Sequence, residues 1–134
     1  MEVFREAVSY IDLQYIAVLV AGVIAGYVVG ALPGFSATMG VALFIPFSYS
    51  MSVYCSFGFL IALYCSAVFA GSIPAVLIRT PGTPAAVATI LDGYPMAQKG
   101  EAGKALGLAC LASVFGGIVS AIILIFVANW VAKA

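Results

Sequence analysis

Apolar residues run through this chain in long stretches, broken by short Pro, Gly, Ser and Thr clusters rather than by charged loops. The first stretch, 13–32, reads LQYIAVLVAGVIAGYVVGAL. It is long enough to cross a bilayer as a helix, which takes about 20 residues. Gly22, Gly26 and Gly30 recur every fourth position and therefore share one helix face. That spacing lets another membrane helix approach closely, and packing is the role assigned to them. Leu32-Pro33-Gly34 then stops the helix, because proline removes a donor and restrains the residue before it, while glycine supplies the turn. The next apolar segment, 35–47, is too short to span and reads as a half-helix or re-entrant segment, capped by Ser36 and ended by Pro46. After a polar connector at 48–52, residues 53–78 are long enough to span with tilt. Gly71-Ser72-Ile73-Pro74 predicts a kink or break within that span.

The following stretch differs in kind: Arg79-Thr80-Pro81-Gly82-Thr83-Pro84, then AAVATIL, then Asp92-Gly93-Tyr94-Pro95. Thr83 suits an N-cap, Pro84 the first helical position and Gly93 the position past the end. These signals predict a short helix over 84–91, too short to cross. Residues 96–104 (MAQKGEAGK) read as a solvent-exposed connector, and 105–132 as the last span, with Trp130 as an interface anchor. Residues 1–12 read as an amphipathic lead-in. Glu2, Arg5, Glu6 and Asp12 do not make the positive leader of a signal peptide. The fold predicted is all-α and integral to the membrane: one partial membrane domain, 1–134, of about three transmembrane helices plus half-helices at Pro-Gly breaks.

Composition agrees with a lipid-facing chain. Of 134 residues, 65% are hydrophobic and 7% charged, and no charge falls between Asp12 and Arg79; soluble domains carry about 25% charged residues. Net charge is zero and histidine is absent, so nothing suggests a nucleic-acid partner, a Ser-His-Asp site or a metal cluster. Cys55, Cys65 and Cys110 lie in apolar stretches without metal-ligand spacing and read as small hydrophobes. Arg79, Lys99 and Lys104 place the connector between the second and third long spans in the cytoplasm. With 35–47 read as re-entrant, the N-terminus is cytoplasmic and the C-terminus outside; if that segment crosses, the N-terminus flips.

Two places share a design. At Pro33-Gly34-Phe35-Ser36-Ala37-Thr38 and at Pro81-Gly82-Thr83-Pro84, a Pro-Gly break precedes a hydroxyl and a short helix. In lipid, a broken helix is tolerated where it is buried in protein or lines a wet cavity. A half-helix N-terminus offers free N–H groups and a positive dipole end, so it can hold an anion without a basic side chain. Secondary transporters use discontinuous helices in this way. Ordinary surface loops are the plainer alternative. Asp92, placed at the end of the short helix, either forms an Asp-Gly turn, pairs with a cation, or helps hold Na⁺ or a proton. Arg79 marks the cytoplasmic boundary or reaches a substrate carboxylate.

The strings GALPGFSATMGVALFIPFSYSM and GSIPAVLIRTPGTPAAVATILDGYPMAQKGEAGKALG resemble the large membrane subunit of tripartite tricarboxylate transporters, the TctA family. The pattern P-G-T-P-x-A-x-A-T-x-x-D-G-Y-P-x-A-x-x-G is met at Pro81, Gly82, Thr83, Pro84, Ala86, Ala88, Thr89, Asp92, Gly93, Tyr94, Pro95, Ala97 and Gly100. The resemblance implies a solute:cation symporter subunit of the bacterial inner membrane, without enzymatic activity or cofactor, coupled to Na⁺ or H⁺ and importing citrate-like tricarboxylates or other small carboxylates. It further implies a TctB-type small membrane subunit, a TctC-type periplasmic binding protein and a remaining transporter half. Pro33, Gly34, Ser36, Thr38, Pro81, Gly82, Thr83 and Pro84 become candidate substrate-site residues, with Asp92 the ion-coupling candidate. Family members are several times longer, which makes this chain an N-terminal portion. Position 79, often Asn in the family, is Arg79 here. A truncated, non-transporting membrane scaffold is the alternative.

Overall fold

The computed structural model describes residues 12–131; all of the lead-in at 1–12 except Asp12, and the last residue of the expected final span, Ala132, lie outside the described residues. Among the described residues all regular structure is helical. α1 is Leu13–Ala31, α2 Ala37–Ser48, α3 Val53–Ala70, α4 Ser72–Ile78, α5 Val87–Gln98 and α6 Ala102–Val131. A 3-10 turn, Pro84–Ala86, leads into α5. Three stretches are long and apolar enough to cross a membrane: Leu13–Ala31, Val53–Ile78 and Ala102–Ala128. The chain is therefore a multi-pass membrane protein.

α1 and α3 make the main helix pair, and glycine is the reason they pack so closely. A Cβ added at Gly22 would strike the Phe59 carbonyl, one at Gly26 the Leu63 carbonyl and Ser66 Oγ, and one at Gly30 the Ala67 backbone. Ser66 Oγ sits in this seam because it donates back to the Ala62 carbonyl at 2.7 Å, which satisfies it without a partner on α1. The contacts advance in the same direction along both helices (22 with 59, 26 with 63, 30 with 67), so α1 and α3 run parallel.

Parallel packing decides the role of α2. Gly40 lies against Val29, the Phe44 ring is 5.8 Å from the Phe59 ring, and Ser56 Oγ donates to the Ser48 carbonyl at 2.6 Å. α2 thus descends antiparallel to both neighbours and returns the chain to the level where α3 begins. The opposite courses expected of α1 and α3 are corrected: they run parallel, and the short helix over 35–47 returns the chain from the end of α1 to the start of α3. A helix of this length covers only about 18 Å, and the non-helical residues on either side supply the rest. Pro46 does not end α2, which continues to Ser48. The carbonyl Pro46 leaves without its donor is that of exposed Ala42.

The helix expected over 84–91 runs on to Gln98. Gly93 does not terminate it. Gly93 is buried, and an added Cβ there would lie 2.8 Å from Val76 Cγ2. The approach of α5 to α4 through this position offsets the roughly 1 kcal/mol that glycine costs a helix. Termination falls to Gly100, at φ +80. Its N–H donates to the Ala97 carbonyl at 3.0 Å, and that of Glu101 to the Met96 carbonyl at 2.9 Å, the paired bonds of a Schellman end. The expected exposed connector at 96–104 is therefore mostly helix. α6 touches α4 and α5 only through its first turns; every residue from 110 to 128 is exposed.

The α1–α3 seam tolerates no side chain at its centre. Gly26→Leu should destabilise the protein by at least about 2 kcal/mol, the scale of core overpacking, read as a shift of the SDS-unfolding midpoint in mixed micelles. Val28→Leu, on the exposed side of the same helix, should leave that midpoint in place.

Candidate functional site

At the first break, Leu32 leaves α1 in an extended conformation and Gly34 takes φ +90, a backbone state that glycine adopts freely. Ser36 is extended, and its Oγ accepts from the Met39 N–H at 3.2 Å, capping α2. The Ser36 and Thr38 hydroxyls lie 3.1 Å apart. Pro33, Gly34 and Thr38 are exposed, and Ser36 is half-buried. This break therefore presents a capped helix start and two neighbouring hydroxyls at an open surface.

The second break is built inward. α4 ends at Arg79, whose φ of 57 turns the chain back along the helix. The Thr80 N–H donates to the Pro74 carbonyl at 3.3 Å, and the Gly82 N–H to the Gly71 carbonyl at 3.1 Å. The 79–83 segment thus runs from the end of α4 back to its beginning before α5 starts. Gly82 and Thr83 are buried, Pro81 is half-buried and Pro84 exposed. Thr83 occupies the N-cap position but makes no side-chain cap bond; its hydroxyl instead donates to the Val68 carbonyl at a long 3.5 Å. Burial beside that carbonyl draws the hydroxyl away from the helix start it was expected to cap.

The second break seats against the last turn of α1, three residues before the first break. An added Cβ at Gly82 would strike the Gly30 carbonyl and lie 2.8 Å from Gly71 Cα. Gly30 is three residues before Pro33. Gly71, at φ −60 and ψ −19, is the joint between α3 and α4, a bend more than a rupture. α1 therefore ends where the Val53–Ile78 span bends, about two-thirds of the way along it. No hydrogen bond links Ser36 or Thr38 to 81–84 among the described residues. Sequence reasoning treated Gly71 only as a kink and missed its contact with the second break. The small pair Gly71-Ser72 opposite Pro-Gly was the available signal.

Asp92 stands elsewhere. Correcting its expected place at a helix end, it lies inside α5, exposed, with no ion pair among the described residues. It lines an open groove of about 310 Å³ between α5 and α6, with Thr89, Gly93 and Met96 on one wall and Ala105, Leu108, Ala109 and Ala112 on the other. The Arg79 guanidinium sits 5.8 Å from the Tyr94 ring centroid, within cation–π range. Lys104 pairs with Glu101 at 2.6 Å on the surface.

The family described as "Tripartite tricarboxylate transporter TctA family" matches residues 16–134. This chain belongs to the TctA family. A curated relative from Agrobacterium vitis, an uncharacterized 52.8 kDa protein in the TAR-I ttuC' 3'region, is 37% identical over 121 residues. That match covers 90% of this chain and 24% of the relative, so the TctA segment described here spans about a quarter of that protein's length. No solved structure matches it. Both Pro-Gly breaks fall inside the TctA match.

Ser36 is the cap on which the α2 start depends. Ser36→Ala should weaken the first turn by about 1 kcal/mol, measured as faster hydrogen exchange at the Met39 amide, while Ser50→Ala, whose hydroxyl only donates back to the Phe47 carbonyl, should not alter it.

Proposed function

We propose that this chain supplies part of the solute pathway of a cation-coupled, binding-protein-dependent importer of small organic carboxylates, tricarboxylates such as citrate among them. The observation that carries the reading is that the second Pro-Gly break seats on the last turn of α1, where Gly82 rests on the carbonyl of Gly30 three residues before the first break, beside the bend of the Val53–Ile78 span. Broken backbone at membrane depth needs buried partners or water. Gly82 has its partner in Gly71, whereas the start of α2 is open. An anion with several carboxylates suits such helix starts. Pro33, Gly34, Ser36 and Thr38 form the exposed half of the candidate site. Pro81 and Pro84 rim the second half, and Gly82 and Thr83 give it shape.

Membership of a tripartite family supports a TctB-type subunit and a TctC-type periplasmic protein as partners, in a bacterial inner membrane. With the basic connector in the cytoplasm, the parallel course of α1 and α3 puts the start of α1 outside. Asp92, a lone carboxylate in an apolar groove, is the candidate for Na⁺ or H⁺ coupling in the adjoining region. A second reading, a non-transporting scaffold, draws on the length of the match, a quarter of the relative.

The test is labelled-citrate uptake into membrane vesicles holding the complete three-component system, with this chain as part of its large subunit. Thr38→Val removes an exposed hydroxyl and keeps the side-chain shape. It should raise the half-saturating citrate concentration about tenfold, the loss of one hydrogen bond to a charged group, with unchanged membrane insertion. Uptake indifferent to Thr38→Val, Ser36→Ala and Gly34→Val would sink the site, and absence of citrate uptake in the unaltered system would favour the scaffold. Asp92→Asn should abolish the response to whichever imposed gradient, Na⁺ or H⁺, drives uptake. Persistence of that response would move coupling to another part of the transporter.

A further inference from the structure

We infer that Gly71 is a positioning residue, whose missing side chain sets the Pro81-Gly82-Thr83-Pro84 turn in place at the end of α1; the inference rests on the reading of that turn as part of the solute site. Gly71 has φ −60 and ψ −19, angles open to any residue. Its value as glycine is therefore not conformational freedom, and helix propensity alone would favour alanine there by about 1 kcal/mol. What alanine would meet is Thr83. A Cβ at position 71 would lie 2.5 Å from Thr83 Oγ1 and 2.8 Å from both its Cγ2 and its backbone N. Thr83 is 3% exposed, so it fills the joint and has no open side toward a solute.

Three glycines from three segments meet here. Gly30 closes α1 against Ala67, Gly71 joins α3 to α4, and Gly82 lies between them with its N–H on the Gly71 carbonyl at 3.1 Å. The Gly30 and Gly82 contacts are backbone on backbone, and a Cβ at Gly71 would meet the Thr83 backbone N as well as its side chain, so a change of the Thr83 rotamer alone cannot make room. A methyl at Gly71 must therefore push the turn outward, lifting Thr83 off the joint and Gly82 off the Gly30 carbonyl. Ala86, 2% exposed and one turn further on, moves with it. Thr83→Ala removes two of the three atoms that a Cβ at 71 would strike, and so should restore most of the seating.

The experiment uses Ala86→Cys in a background with Cys55, Cys65 and Cys110 replaced by alanine, and reads alkylation by a water-soluble maleimide in native membranes. Adding Gly71→Ala should speed alkylation at 86 at least about tenfold, a modest share of the overpacking range. Adding Gly71→Ala with Thr83→Ala should return it to near the starting rate. Gly22→Ala crowds the α1–α3 seam two turns before Gly30, so its effect on the rate should be smaller than that of Gly71→Ala and should not be reversed by Thr83→Ala. An unchanged rate in Gly71→Ala, an equal rise in Gly22→Ala, or failure of Thr83→Ala to restore protection would each overturn the inference. Citrate uptake in the same variants separates the two readings. Alkylation that follows this pattern while uptake does not would leave the positioning role standing and remove the turn from the solute site.

Discussion

Close approach of two backbones through Gly22, Gly26 and Gly30 is the constraint on which the rest of this structure depends. In hydrocarbon there is no hydrophobic force between helices, and packing contact has to supply the association. Removing side chains at three successive turns lets α1 lie directly on the carbonyls of α3. That contact fixes the relative direction of the helices, their register and the level at which α1 ends. Everything placed by the end of α1 follows from it: the Pro33-Gly34 break, the start of α2 and the seat on which Gly82 rests.

Depth matters because of the solvent. A Pro-Gly break at the membrane surface is an ordinary turn, hydrated on all sides. At the level of the α3–α4 joint it must find its partners in the protein or in trapped water. The second break finds them: Thr80 and Gly82 donate to Pro74 and Gly71. The first is capped by Ser36 and otherwise open. Among the described residues the second break is packed and the first exposed, a difference invisible in their similar sequences.

Much of the fold was legible in the chain itself. Hydropathy marked the long spans, the four-residue glycine spacing marked a packing face, and Ser36 marked the start of α2. Other readings failed for a common reason. Gly93 looked like a terminator and Pro46 like a stop because local rules treat glycine and proline as punctuation. Gly93 instead admits Val76 of α4, and α2 runs two residues past Pro46 to Ser48, so neither ended its helix. Thr83 looked like a cap because nothing local revealed the carbonyl of Val68 beside it.

Residue type and spacing along single segments were enough to put this chain in a bilayer, to mark which face of α1 packs and to show which family it joins. The packing of whole helices decided that α1 and α3 run parallel, that α2 therefore returns antiparallel to both, that the second break seats on the last turn of α1, and that Asp92 faces α6 instead of either break. Those outcomes depend on which backbone meets which across dozens of residues. A glycine records only that something comes close; the partner, Phe59 for Gly22 or Thr83 for Gly71, is specified by the packing of whole helices.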